Sequence, residues 1–352
     1  MKKIITLLLC LVLALGLFAG CGSTTDQPQQ ELNLYTWDGL FPEEVLADFT
    51  KETGIKINYS SFDSNEAMLA KLEAAKGGDY DLVVADDYII ETAVNEGLVM
   101  ELDKEKLTGY DNINPLYQGH YFDPENKYAV PYGAGVQTIL YDPEKVSIEI
   151  DSFDDLTDPS LKDSIGVSDN ARVIHGMSLI TDGESVNAED PAAIEKAAAQ
   201  VMEMAPNIRL IKENGLHEDI VSGEISVALT YNSEVTQACM AKPGLKVVYP
   251  TEGVGFGIMA QFIPVNAPHP DAAHAFIDYI LQPEVSKTCF ENVGYYSTNK
   301  AADALIAEEM RPFLTLPDSL KVEQMDMMRN ISSESLDLHS KYWTEFRTAC
   351  GQ

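Results

Sequence analysis

The sequence predicts an α/β chain folded as two lobes with a ligand cleft between them, and three observations carry that prediction. Strand-like and helix-like segments alternate from Leu32 onward, the pattern of parallel strands joined by helices. The chain has 352 residues, more than one hydrophobic core usually serves. An extended segment, "YAVPYGAGVQTILYD", carries Gly133 and Gly135 near its middle, as a strand crossing between lobes at a hinge would.

The elements follow in order. Lys2 and Lys3 precede an uncharged apolar run that ends in Ala19, Gly20 and Cys21. The run is short for a membrane span, which takes about 20 residues, and with its basic start it reads as a signal peptide over residues 1–20. The small residues before Cys21 resemble a bacterial lipoprotein cleavage site, with Phe18 where such sites usually carry leucine, so Cys21 is expected to carry lipid. Residues 21–30 are polar and without aromatics, the composition of a flexible tether.

"LNLYTW" is a strand, and the helix after it places Val45, Leu46 and Phe49 on one face before Gly54 closes it. "IKINYS" is the next strand. Asp63 with Glu66 three residues on predicts a capping box, opening a helix that carries Met68, Leu69 and Leu72. "YDLVVA" is a third strand, and its helix ends at Gly97. In open α/β sheets ligands sit at the carboxyl ends of the strands, here Trp37-Asp38, Ser60-Ser61 and Asp86-Asp87-Tyr88. Two adjacent acids exceed what one helix start needs. Asp87 is expected to cap or solvate, and Asp86 to be either a second helix-start acid or part of a site.

A second α/β unit follows the crossover. "SIGVSDNARVIHGMSLI" gives a strand ending at Ser168, Asp169 and Asn170 and opening a helix, and "GEISVALTYNSE" a strand delivering Tyr231 and Asn232. Residues 262–302 give a strand, a Pro-rich turn, a helix and a Gly-Tyr-Tyr turn. The expected division is residues 31–134 and 261–300 in lobe 1, and 135–260 and 301–352 in lobe 2.

Composition narrows the function. The net charge is −32, and loss of Lys2 and Lys3 makes the mature chain more acidic still, which excludes nucleic acid as a natural partner. Cys239, Cys289 and Cys350 are far apart and lack metal spacing, so buried free thiols are expected. There is no phosphate loop, no zinc-binding His-Glu-x-x-His and no nucleophile elbow. His269 and His274 read as solvated or core residues. An enzyme, even a lipid-anchored one, is the weaker class.

The residues 32–98, from "LNLYTWDGLFPEEVLADF" to "YDLVVADDYIIETAVNEGL", resemble the N-terminal lobe of the spermidine/putrescine substrate-binding proteins of bacterial ABC importers, and "IPVNAPHPDAAHAFIDYILQPEV" resembles the stretch those proteins carry after the crossover. The resemblance implies the two-lobed periplasmic-binding-protein fold, a polyamine ligand, no cofactor, a monomer, and a permease and ATPase as partners. Carried over by position, it implies that Trp37, Tyr88, Tyr231 and Tyr295 line the site. Tyr231 stands where the family usually has tryptophan. Most of the family's acids are replaced: Gly39 and Leu40 after Trp37, Asn170 and Val173 in the second lobe, and Gly257 and Met259 later. Asp86, at a position that usually holds a small hydroxyl residue, is the apparent compensation, with Asp38 beside it.

A polyamine site needs carboxylates at its ammonium groups and aromatic faces along its stem. Two other solutes stay open. Asn170 and Arg172 at a helix start could receive an anion, making a zwitterionic amine or amino-acid-like solute complementary to Asp38 and Asp86; Arg172 could equally be a surface ion pair. Tyr295, Tyr296, Tyr231 and Asp86 offer oxygen ligands for a ferric ion. The expected location is extracytoplasmic, at the outer face of the cell membrane.

Overall fold

Leu32, Leu34, Tyr35 and Thr36 are buried in the first strand, Glu31–Trp37 (β1), which places apolar side chains on both faces of a sheet. The structure is a computed structural model that describes residues 30–317, 320 and 325–352; the expected signal peptide, Cys21 and the tether through Gln29 lie outside the described residues. From Glu31 on the chain forms one compact unit.

Helix Glu43–Thr53 (α1) connects β1 to strand Lys56–Phe62 (β2), with Gly54 in the left-handed conformation that closes the helix. Helix Asn65–Ala75 (α2) leads to strand Leu82–Asp86 (β3), and helix Asp87–Asn95 (α3) follows without a loop. The N-cap of α2 is Ser64, not Asp63: its Oγ accepts from the Ala67 N–H at 3.1 Å. Glu66 then lies in the first turn and turns its carboxylate to the Tyr88 hydroxyl instead of back to the cap.

Strand Ala129–Tyr141 (β4) is the long crossover. The second parallel set follows: strand Ile165–Val167 (β5), helices Ala171–Thr181 (α4) and Pro191–Glu203 (α5), strand Ile208–Ile211 (β6), helix Leu216–Ser222 (α6), strand Val227–Tyr231 (β7) and helix Asn232–Ala241 (α7). The short strand Lys246–Val248 (β8) precedes the return crossover Val254–Phe262 (β9). Helices Pro270–Ile280 (α8) and Pro283–Val293 (α9) come next; one helix was expected there, and Leu281 and Gln282 before Pro283 divide it in two. The chain ends with strand Tyr296–Ser297 (β10), helices Lys300–Asp303 (α10) and Arg311–Leu314 (α11), strand Met325–Met327 (β11) and helix Ser333–Ala349 (α12).

The strand order is β2-β1-β3-β9-β4-β7-β5-β6. β1, β2 and β3 are parallel, as are β5, β6 and β7, and the antiparallel crossovers β9 and β4 stand between the two sets. β4 serves both: residues 129–136 pair with β9, residues 137–141 with β7. At Gly133 and Gly135 the backbone lies against Tyr295, where an added Cβ would come within 3.3 Å of the Tyr295 side chain.

Each set is covered on both faces. On one face of the first, Phe276 of α8 packs edge-on against Phe41 and Phe49 at 5.2 and 5.0 Å between ring centres; burying such a ring contributes about 1.5–3 kcal/mol. Tyr35, Met68, Leu72 and Ile90 fill the other face. In the second set Ile139, Val167, Ile174 and Leu229 pack with Trp343 and Phe346 of α12, while Leu140, Leu216 and Ala228 fill the opposite face. The tail divides: α12 packs on the second set, whereas β11 pairs with β9 and Leu320 joins the first core. Cys239 and Cys289 are buried free thiols, while Cys350 is only half-buried.

Candidate functional site

Because α3 begins at the residue after β3, Asp86 is held at a strand end and a helix start together. Its side chain makes no cap bond; one carboxylate oxygen accepts from Asn65 Nδ2 at 2.7 Å. Burial pushes this carboxyl up to about 6, against the hydrogen bond from Asn65 and with added repulsion from Glu66. Asp87 takes a different role. It is 2% exposed, and its two oxygens accept from the Ile258 N–H of β9 at 2.9 Å and from the Tyr88 N–H at 2.7 Å. Asp87 is therefore not solvated: it satisfies one free N–H at the start of α3 and ties that helix to the crossover strand, and burial pushes its carboxyl up to about 8.

Tyr88 lies beside Asp86. Its hydroxyl accepts from Asn65 Nδ2 at 3.0 Å and donates to Glu66 at 3.1 Å, and burial first, then the charge of Asp86, holds its pKa above the usual phenol range. Trp37 ends β1 with its ring 4.6 Å from Phe62, and its buried indole Nε1–H has no hydrogen-bond partner among the described residues. Asp38 is exposed and shares no hydrogen bond or ion pair with the other predicted residues; its charge acts on the Tyr59 hydroxyl. The chain turns at Gly39, whose φ is 69°, and carries Asp38 to the surface.

The second lobe brings its own strand ends. Asn170 caps α4: its Oδ1 accepts from the Val173 N–H at 3.2 Å, and its Nδ2 donates to the Tyr231 hydroxyl at 3.4 Å. Tyr231, at the end of β7, is held well above the phenol range by burial, then by Glu213, Tyr295 and Asp86. Tyr295 is pushed up to about 12 by burial and Asp86, with Glu213 adding to it. Asp86 and Glu213 thus both act to raise the Tyr231 and Tyr295 hydroxyls.

Glu213, just after β6, did not emerge from the sequence. Its side chain is exposed, and desolvation by nearby protein together with Asp169, Asp86 and Glu234 pushes its carboxyl up to about 7. The rule that placed Asp86, carboxyl ends of parallel strands, would have found it once residues 208–211 were read as a strand. Two neighbouring acids are already committed. Asp169 accepts from Trp343 Nε1 at 2.8 Å and pairs with Arg347, while Glu234 accepts from the Gly215 and His217 N–H groups and pairs with the His217 ring. Neither Asp86 nor Glu213 has a cationic side-chain partner among the described residues.

The alternatives lose their residues. The Arg172 guanidinium donates to the Arg329 carbonyl at 3.0 Å and to Asn187 Oδ1 at 3.2 Å, so it is neither a surface ion pair nor a free receptor for an anion. Tyr296 is buried and its hydroxyl is already paired with that of Tyr249 at 2.9 Å. Among the described residues no three His, Cys, Asp or Glu gather as a metal site would require. His269 pairs with Asp81, and the His274 ring bonds the Asp103 N–H and the Pro270 carbonyl, both structural. What remains are the rings of Tyr88, Tyr231 and Tyr295 and the Asp86 carboxyl, which lacks a cationic partner among the described residues, a set of groups suited to an organic cation.

The sequence matches the family described as bacterial extracellular solute-binding protein over residues 44–311. It is 34% identical to the spermidine/putrescine-binding periplasmic protein of Salmonella typhimurium, over 95% of both chains. It is 30% identical to the putrescine-binding periplasmic protein PotF of Escherichia coli, again over 95% of each. Among solved structures, the spermidine/putrescine ABC transporter substrate-binding protein PotD of Streptococcus pneumoniae superposes with a TM-score of 0.81 at 30% identity, covering 91% of this chain and 99% of that one.

Proposed function

Because the chain belongs to the bacterial extracellular solute-binding proteins, we propose that it captures a polyamine of the spermidine/putrescine class outside the cytoplasm and delivers it to the permease of an ABC importer. It is a binding component and not an enzyme. The ligand lies between the lobes, with Trp37, Tyr88, Tyr231 and Tyr295 along its methylenes, Asn170 at the second-lobe end, and Asp86 on an ammonium group; Asp38 stands at the margin. The observation that carries this reading is Asp86, withdrawn from water among aromatic rings with only Asn65 to support its charge. An ammonium group supplies the missing partner, and removing one side of such a buried pair costs about 2–5 kcal/mol.

Calorimetric titration with putrescine and spermidine tests the reading. Binding with a Kd of about 1 μM or tighter, about −8 kcal/mol, is expected, and Asp86→Ala abolishes it. A protein that gives no heat and no thermal shift with either amine would overturn the polyamine assignment.

The protein acts as a monomer, divided between lobes 31–134 with 261–300 and 135–260 with 301–352, and is held at the membrane by lipid on Cys21. That anchor rests on the leader and the polar tether. Wild-type protein partitions into detergent phase and Cys21→Ser does not; equal partitioning would count against the anchor.

A further inference from the structure

We propose that Asn65 is a positioning residue of this site: its one amide holds the Asp86 carboxylate and the Tyr88 ring to each other, and keeps that carboxylate ready for a cation. The inference rests on the polyamine reading and adds to it a residue that acts on the ligand through Asp86 and Tyr88.

Asn65 is the first residue of α2, and side chains at a helix start lean back toward its N-terminal end, here toward the carboxyl ends of the strands. From there it reaches the start of α3, although β1 lies between β2 and β3 in the sheet. Its Nδ2 donates to Asp86 at 2.7 Å and to the Tyr88 hydroxyl at 3.0 Å, and that hydroxyl donates on to Glu66 at 3.1 Å. Both amide hydrogens are thus spent on groups that the polyamine reading sets against the ligand.

Helix capping does not account for Asn65, because the Ser64 hydroxyl already caps α2. Nor does packing. Asn65 is 4% exposed, and its Oδ1 is buried with no donor among the described residues; an apolar side chain would fill the same space without leaving an acceptor unserved. The amide turns its nitrogen to Asp86, the orientation that favours the ionised carboxylate.

Asn65 also has no substitute. The titratable groups around Asp86 are Glu66 of α2, Asp87 and Tyr88 of α3, and Glu213, Tyr231 and Tyr295 from later in the chain, all of which turn negative when they ionise. The bond from Asn65 is the one hydrogen bond that the Asp86 carboxylate receives among the described residues, and Met259, its neighbour on β9, is apolar. Burial raises this carboxyl to about 6, and Asn65 opposes the rise. Without the amide, Asp86 holds its proton to higher pH and Tyr88 loses its tie to it.

The test follows the Asp86 carboxyl by carbon-13 NMR in empty wild type, Asn65→Leu and Asn65→Ala, beside calorimetric titration of each with putrescine at about pH 6 and about pH 8. Asn65→Leu fills the space of the amide and Asn65→Ala leaves it open, so a packing defect in one is checked by the other. In both, the Asp86 midpoint is expected to rise by about one unit, a tenfold gain in its hold on the proton. The putrescine Kd then rises about tenfold at about pH 6 and by less than about threefold at about pH 8. A purely structural Asn65 would weaken binding equally at the two pH values and leave the midpoint in place. If that is found while wild type binds putrescine and Asp86→Asn does not, the inference fails and the polyamine reading stands. Wild-type protein that ignores putrescine and spermidine overturns that reading and this inference with it.

Discussion

At the residue scale the raised Asp86 carboxyl gives the proposed binding a pH dependence with a definite sign. The proposed cation pairing needs Asp86 ionised, and in the empty protein burial pushes its carboxyl up to about 6. Affinity for putrescine is therefore full above about pH 7 and falls roughly tenfold per unit once the pH drops below about 6, because each binding event must then displace a proton. Stability of the empty protein runs the other way. A carboxyl raised in the folded state contributes stability that is present below its unfolded pKa, about 4, and is lost as pH rises through the folded value. The thermal shift given by saturating putrescine should thus grow between about pH 5 and about pH 7; a shift constant over that range would count against ionised Asp86 as the ligand's partner. Asp86 was legible in the sequence because an apolar strand ending in two acids is conspicuous. Glu213 was not, because its strand is four residues long and "KENG" reads as a solvated turn. Asp38 misled for a related reason: adjacency to Trp37 in sequence says nothing about direction once the chain turns at Gly39.

At the element scale the start of α4 does two jobs. Asn170 caps the helix and reaches Tyr231, so Asn170→Ala should cost about 1 kcal/mol of stability, measured by urea unfolding, and should also loosen Tyr231. Asn170→Asp keeps an acceptor for the Val173 N–H, sits favourably at the positive helix end, and adds a carboxylate to the cleft. It should therefore retain wild-type stability while tightening putrescine binding by about tenfold; unchanged or weaker binding would place Asn170 outside contact with the ligand. Most elements were legible from local chemistry: Gly54 and Gly97 end helices with positive φ where the pattern placed them. The misplaced cap of α2 shows the limit. Ser64 and Asp63 are both good caps, and what decides is the tertiary partner of Glu66, the Tyr88 hydroxyl from another helix.

At the scale of the whole molecule, pairings between distant segments were the least legible, since nothing local to β3 announces that its other neighbour is β9. His175 and His339 show the same: both were unremarkable in sequence, yet their rings meet across α4 and α12 with Nδ1 atoms 3.0 Å apart. The interleaving of β9 and β4 between the parallel sets carries a consequence for how the chain is made. The first core joins Leu32, Leu34 and Val84 to Phe276, Ile277 and Cys289. Synthesis reaches Val130 with β3 still lacking β9 and one face of the sheet bare. About 160 residues must follow before Cys289 emerges, roughly 10–30 seconds of translation at the usual rates. Through that interval the N-terminal half has no finished structure to adopt, so a chain bound for the outside of the cytoplasm stays threadable while it is still being made.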